Sequence, residues 1–309
     1  MITTYQYSDF EPLEKIIALK KRYNETVSVI LPALNEAATI GAIIESIRCL
    51  KASSGIIDEI IVMDDASDDA TAQTAHNAGA TVYQVGNIMP SVTARGKGAA
   101  LWKAQFVATG SILAFVDADL LEFNERFVLG PVGALFRNRK LELVKSSYRR
   151  PLTKGTVTID DNGGRVTELL LRPLLNLFIP ELARLNQPLA GEYAVRRTSA
   201  NQISFFSGYG VETGLLLDYY FSRGIQSIGQ VDVGTRTHRN RTLAELSLMS
   251  CEIAEVFFEI LKKQNYCTFR PPESTIMTAG DPDIPVQNEI HDVCLPPKNS
   301  LVKAGVHGT

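Results

Sequence analysis

Four short apolar runs organise the first 120 residues, and each stops on polar residues ahead of a segment with helical spacing: Val27–Pro32, Glu59–Met63, Ala80–Val85 and Ser111–Val116. Runs rich in β-branched and aromatic residues with polar stops read as buried strands. After the first run, Asn35 offers a cap and Ile40, Ile43, Ile44 and Ile47 recur at helical intervals. Strands alternating with helices leave few arrangements open, and right-handed βαβ crossovers around a mostly parallel sheet are the simplest. Ligands of such sheets bind beyond the carboxyl ends of the strands. Those ends carry Pro32, Asn35 and Glu36, then Asp64, Asp65 and Ser67, then Asp117 and Asp119. Alternate residues of an extended segment point the same way, so Asp117 and Asp119 can face one divalent cation or one sugar ring.

At 309 residues the chain has room for one large domain or two small ones, with a sizeable core. A net charge of −3 argues against broad contact with nucleic acid or an anionic membrane, so an anionic ligand must be met by local cations. Cys49, Cys251, Cys267 and Cys294 are widely separated, as expected in a reducing cytosol. No basic-then-apolar leader opens the sequence, and no uncharged apolar run approaches the roughly 20 residues of a membrane span. A cytoplasmic protein is the expectation.

After Asp119 the texture changes. A helix is expected over 124–138 and a strand over 141–148, with a hairpin or loop at Asp160-Asp161-Asn162-Gly163-Gly164. Helical segments follow over 165–178 and 211–222, strands over 191–195 and 226–233, and a long helix over 243–263. That last helix has more apolar residues than one face needs, which fits either burial within the domain or a homodimer contact. Beyond Cys267, six prolines and few apolar runs suggest a loosely ordered tail. The expected organisation is an N-terminal arm or helix (1–25), a first half (26–120), a second half ending in the long helix (121–264) and a Pro-rich tail (265–309).

Acids near helix starts are stabilised by the helix dipole by about 0.3–1 kcal/mol without any function. Asp68 and Asp69 fit that description, whereas the convergence of three acidic strand ends singles out Asp64 and Asp119. Arg95-Gly96-Lys97-Gly98, just before a helix, suits a diphosphate held by backbone N–H groups and an ammonium. Its spacing is not that of a Walker loop, and no Gly-x-Gly-x-x-Gly follows the first strand. His238 lies in the cationic segment Thr237-His238-Arg239-Asn240-Arg241, where a neutral imidazole can complete the oxygen ligands of Mg²⁺ or Mn²⁺. Taken alone, Arg165 reads as a surface or capping cation and Glu212 as an ordinary first-turn acid, and Glu192 and Tyr209 fit structural roles.

Val29-Ile30-Leu31-Pro32-Ala33-Leu34-Asn35-Glu36, Val62-Met63-Asp64-Asp65-Ala66-Ser67-Asp68, Gly96-Lys97-Gly98 and Val116-Asp117-Ala118-Asp119 together resemble the nucleotide-sugar-binding half of a GT-A glycosyltransferase. In the second half, Gly163-Gly164-Arg165-Val166-Thr167-Glu168-Leu169, Gln187-Pro188-Leu189-Ala190-Gly191-Glu192-Tyr193, Gly208-Tyr209-Gly210-Val211-Glu212 and His238-Arg239-Asn240-Arg241 are similar to segments of glucosyl-3-phosphoglycerate synthases. The likeness spans about residues 26–263. It implies a GT-A fold, a nucleotide-sugar half and an acceptor half, and metal-dependent, retaining transfer of glucose from UDP-glucose to 3-phosphoglycerate. Residue by residue, it places Pro32, Leu34, Glu36, Asp65, Ser67, Lys97, Asp117 and Ala118 at the donor. Gly164, Arg165, Val166, Thr167 and Asn240 fall at the acceptor, where Arg165 grips the phosphate or carboxylate. Asp119 and His238 match the ligands of Mg²⁺ or Mn²⁺, and Asp119, Lys97 and Glu212 lie at the reacting centre. A related enzyme using GDP-glucose, GDP-mannose or another small acid, or a silent nucleotide-sugar-binding protein, would carry many of the same residues.

Overall fold

The computed structural model describes residues 1–150, 164–236, 242–267 and 293–301, and the backbone alone of 152–154, 157–159, 275–281, 284–289 and 302–303. Eight strands form one sheet: β1 (Thr3–Gln6), β2 (Val27–Ala33), β3 (Glu59–Asp64), β4 (Thr81–Gln84), β5 (Ile112–Phe115), β6 (Leu143–Arg149), β7 (Tyr193–Arg196) and β8 (Ile228–Thr235). Their spatial order is β1-β8-β6-β7-β5-β2-β3-β4. All neighbours are parallel except β7, which runs antiparallel between β5 and β6, with Tyr193 opposite both Phe115 and Lys145. This is the mostly parallel α/β sheet of the GT-A fold.

The main helices are α1 (Glu14–Tyr23), α2 (Ile40–Ser54), α3 (Thr71–Asn77), α4 (Lys97–Val107), α5 (Arg126–Arg137), α6 (Arg172–Phe178), α7 (Val211–Arg223) and α8 (Leu243–Lys263). Because successive strand residues face opposite sides, β2 sends Ile30 to one core and Val29 and Leu31 to the other. One core gathers residues of α4, α7 and α8, and the other those of α2 and α5. Burial on both faces explains why the early strands read as continuous apolar runs.

Two expectations at the chain ends need correction. Residues 1–25 do contain a helix, but Thr3–Gln6 also forms the edge strand beside β8. Four residues of Thr-Thr-Tyr-Gln are too short for periodicity to register, and their partner, starting at Gly229, lies far along the sequence. The tail is not loose throughout. Cys294–Leu295 pairs antiparallel with Phe205–Phe206, Leu295 is buried, and Trp102 Nε1 donates to Pro296 O at 2.8 Å. The prolines stop helices without preventing this docking, since each X-Pro carbonyl remains a good acceptor. A hairpin forms at 152–154 and 157–159, earlier than Asn162-Gly163, which lies outside the described residues.

Candidate active site

The sheet brings β2, β3 and β5 to the same edge, and their exits interlock through side chains. Asn35 N donates to Ser67 Oγ and Asp68 N to Asn35 Oδ1, both at 2.9 Å, which ties the loop after β2 to the loop after β3. Thr39 Oγ1 donates to Ala118 O at 2.6 Å, so the start of α2 fixes the residue between the two acids of Asp-x-Asp. Asp65 Oδ2 accepts from Gly96 N at 2.9 Å and holds the turn into α4. Gly98 has no room for a side chain, since a Cβ there would come within 1.7 Å of Phe206 O. Ala99 N already donates to Ser207 O, so the glycine-rich turn serves close packing as well as any ligand.

Above these exits lies a cavity of about 820 Å³. Pro32, Leu34, Glu36, Asp65, Lys97, Asp117 and Ala118 line it together with Gly164, Arg165, Val166 and Thr167, and Asp119 and Glu212 belong to the same lining. Ser67 is set back: its hydroxyl donates to Asp64 and accepts from Asn35 N. Asp64, expected to be functional, is buried and takes hydrogen bonds from Ser67 and Gln84, which makes it a support for the β3 exit. Asp69 accepts from Thr71 N at the start of α3, in line with its reading as a helix-start acid. His238 and Asn240 lie outside the described residues, between Arg236 and Thr242.

Sequence reasoning missed Arg236. This buried side chain, just past β8, reaches Glu192 Oε1 at 2.9 Å through Nε, and Asp117 Oδ2 at 2.9 Å and Asp119 Oδ1 at 3.3 Å through Nη2. Burial alone would lower its pKa, but Glu192, Tyr148, Asp117 and Asp119 together push it higher. Lys97 Nζ completes the cluster at 2.7 Å from both Asp117 Oδ1 and Glu212 Oε1. Asp117 is thus gripped on each oxygen, and although burial opposes ionisation, Lys97 and Arg236 hold its carboxyl well below the usual range. Glu192, fully buried and taking a 2.8 Å hydrogen bond from Tyr148, is shifted upward by that burial. Its structural reading suits this geometry, yet it also orients the arginine that contacts both acids.

The part of the lining around Gly164 is built differently. Gly164 O accepts from Glu168 N, and Thr167–Leu171 forms a wide π-helical turn before α6. Arg172 anchors that turn to Glu168 and to the carbonyls of Ala183, Leu185 and Asn186. Among the described lining residues, Arg95, Arg150, Arg165 and Arg236 contribute four guanidinium groups. In a chain of net charge −3 they supply the local positive field that anionic ligands need. No sequence periodicity could have revealed Arg150 or Arg236, because each belongs to the site only through the strand order.

Asp119 also fits a divalent cation. One of its oxygens has the 3.3 Å contact with Arg236, and its other oxygen takes no hydrogen bond among the described residues. No set of three His, Cys, Asp or Glu side chains converges there among the described residues. A carboxylate oxygen left open in this way can share an ion with ligand phosphates, as carboxylates commonly do for Mg²⁺.

Residues 28–138 match the glycosyl transferase family 2 profile. A glucosyl-3-phosphoglycerate synthase of Mycobacterium tuberculosis is 46% identical over 232 residues, covering 74% of this chain and 71% of that protein. The chain belongs to the glucosyl-3-phosphoglycerate synthase family. A second member, from Petrotoga mobilis, is 38% identical over 262 residues, covering 84% of this chain and 81% of its own. Among solved structures, a mannosyl-3-phosphoglycerate synthase from Rubrobacter xylanophilus superimposes with a TM-score of 0.89 at 35% identity, covering 97% of each chain. The M. tuberculosis glucosyl-3-phosphoglycerate synthase, in complex with Mn²⁺, UDP-glucose and phosphoglyceric acid, gives 0.83 at 36% identity, covering 97% of this chain and 99% of that one. This chain is therefore a glycosyltransferase, and its cavity lies where the sheet topology places a ligand site.

Proposed function

We propose that this glycosyltransferase moves glucose from UDP-glucose onto the 2-hydroxyl of 3-phosphoglycerate with retention at the anomeric carbon, using Mg²⁺ or Mn²⁺, in the cytoplasm. The observation that carries the reading is one cavity lined by Asp117, Lys97 and Glu212 together with the guanidinium groups of Arg150, Arg165 and Arg236. In this assignment the residues from Pro32 to Glu36 and Asp65 cradle the nucleotide, and Asp117 meets the ribose and sugar. Ser67 acts indirectly by holding Asn35. Arg165, with Gly164, Val166, Thr167 and Asn240, takes the acceptor's phosphate or carboxylate. No helix of the described residues is long and apolar enough to cross a membrane, in keeping with a cytoplasmic enzyme.

A divalent cation on Asp119 and His238 would neutralise charge growing on the departing diphosphate. The chain's own residues supply orientation. Lys97, held between Asp117 and Glu212, fixes both carboxylates and keeps a positive charge beside the donor. Arg150, Arg165 and Arg236 add fixed positive charge where negative charge accumulates. The acceptor oxygen forms its bond to the anomeric carbon on the face from which the diphosphate oxygen departs. The hydroxyl proton passes to that diphosphate.

The likeness to a mannosyl-3-phosphoglycerate synthase favours one second reading, a mannose donor. Product analysis decides between them: UDP-glucose, GDP-glucose and GDP-mannose are each offered with 3-phosphoglycerate or glycerate, with Mg²⁺, with Mn²⁺ and with a chelator. The expected result is glucosyl-3-phosphoglycerate from UDP-glucose, abolished by chelation. Preferred use of GDP-mannose would replace the donor assignment, and metal-dependent UDP binding without turnover would make the protein a silent binder.

A further inference from the structure

One buried cation beneath the cavity has no role in the chemistry above. Lys145 on β6 is 2% exposed, its ammonium 2.6 Å from Ala190 O and 4.5 Å from the centre of the Tyr193 ring. Ala190 O is its hydrogen-bond acceptor among the described residues, although an ammonium carries three protons. Burial pulls its pKa down to about 8, and the nearby negative charges of Glu212, Glu192 and Asp117, opposed by Lys97, only partly offset this. A methionine would fill the same space without the desolvation penalty, so stability does not account for a lysine here.

Its position does. Ala190 and Gly191 share a peptide, and Gly191 packs so tightly on Asp117 that a Cβ there would come within 2.3 Å of both carboxylate oxygens. Asp117 is gripped by Lys97 and Arg236 on its oxygens and by the Gly191 backbone against its side. The carbonyl that sets the plane of the 190–191 peptide is the one Lys145 holds. We propose that Lys145 is a positioning residue for glycosyl transfer, a buried donor that pins the Ala190–Gly191 peptide against Asp117. The proposal rests on the reading of Asp117 as a donor-sugar contact.

Positioning of a group at the reacting end affects the transition state more than ground-state binding, so the test is a split between kcat and KM. K145M is expected to lower kcat by about tenfold or more while the KM for UDP-glucose moves less than about threefold. K145Q, whose amide can still donate to Ala190 O, should recover most of that loss. K145M retaining kcat within about twofold would overturn the proposal, as would equal losses in K145M and K145Q. Should K145M fail to fold, K145Q decides alone: kcat within about threefold of wild type supports the pin, and a tenfold fall defeats it. Wild type run in parallel tests the reaction itself. If it does not glucosylate 3-phosphoglycerate, that assignment fails, and Lys145 is judged by the same kcat criteria on hydrolysis of UDP-glucose.

Discussion

The parts of the cavity lining proposed above for donor and acceptor are built by different means. On the donor side, many separate short hydrogen bonds link one strand exit to the next: Ser67 bonds Asp64, Glu36 N donates to Thr71 Oγ1, and Thr39 seats Ala118. On the acceptor side, the parts come from β6, β7, β8 and the turn before α6, and long side chains bridge them. Arg236 joins Glu192 to Asp117 and Asp119, and Arg172 joins the Thr167 turn to three carbonyls. A donor side made of many separate bonds should tolerate loss of any one of them. An acceptor side made of a few bridges should not.

The largest effect expected follows from cutting the main bridge. Arg236→Met leaves Glu192 fully buried with Tyr148 as its remaining described hydrogen-bond partner, and breaking a buried ion pair from one side costs about 3–5 kcal/mol. Urea denaturation of the apo protein should show that loss, and the double change with Glu192→Met should recover much of it. A loss below about 1 kcal/mol would mean that the arginine is dispensable to the fold and that the two sides do not differ as described.

Lys145 gives the next effect, through pH. Its folded pKa of about 8 lies below the ordinary 10.5, so between those values the unfolded chain binds more protons than the folded one. Stability must then rise with pH across that window, by on the order of 3 kcal/mol, because the folded protein sheds a costly buried charge. The difference in unfolding free energy between wild type and K145M isolates this contribution from the buried tyrosines. It should grow in favour of wild type from pH 8 towards 10.5. A flat difference would show that the ammonium is already compensated by its acidic neighbours.

This contrast also explains what could be read in advance. The alternating strands and helices of 26–120 are local patterns, and their acidic exits had to be neighbours once the sheet was parallel. Hence Asp65, Lys97, Asp117 and Asp119 could be placed before any coordinates. Asp64 misled because an acid at a strand exit looks the same whether it faces a ligand or, as here, Ser67 and Gln84. Arg236 and Lys145 were not legible for the opposite reason. Each gains its meaning from antiparallel β7, inserted between β5 and β6, which sets Tyr193 beside Lys145 and Glu192 within reach of Arg236. Arg165 and Glu212 gained functional weight only through their segments' resemblance to a family, since a helical pattern over 165–178 or 211–222 says nothing of a ligand. The edge strand Thr3–Gln6 and the docked Cys294–Leu295 were hidden because short strands draw their identity from a distant partner.

The smallest of the three effects is the most selective. Arg165, proposed for the acceptor, lines the same cavity as Pro32 and Glu36. If the two sides are separate in function as well as in construction, Arg165→Ala should raise the KM for 3-phosphoglycerate about 30-fold, roughly 2 kcal/mol for a lost charge-assisted pair. The KM for UDP-glucose should stay within about twofold, because uniform binding to one substrate leaves the other untouched. Arg165→Lys keeps the charge without the planar fork, so it should recover only part of the loss. Equal weakening of both substrates would place Arg165 on the leaving diphosphate. The donor and acceptor sides would then share a cationic wall, and Arg150 would become the stronger candidate for gripping the acceptor.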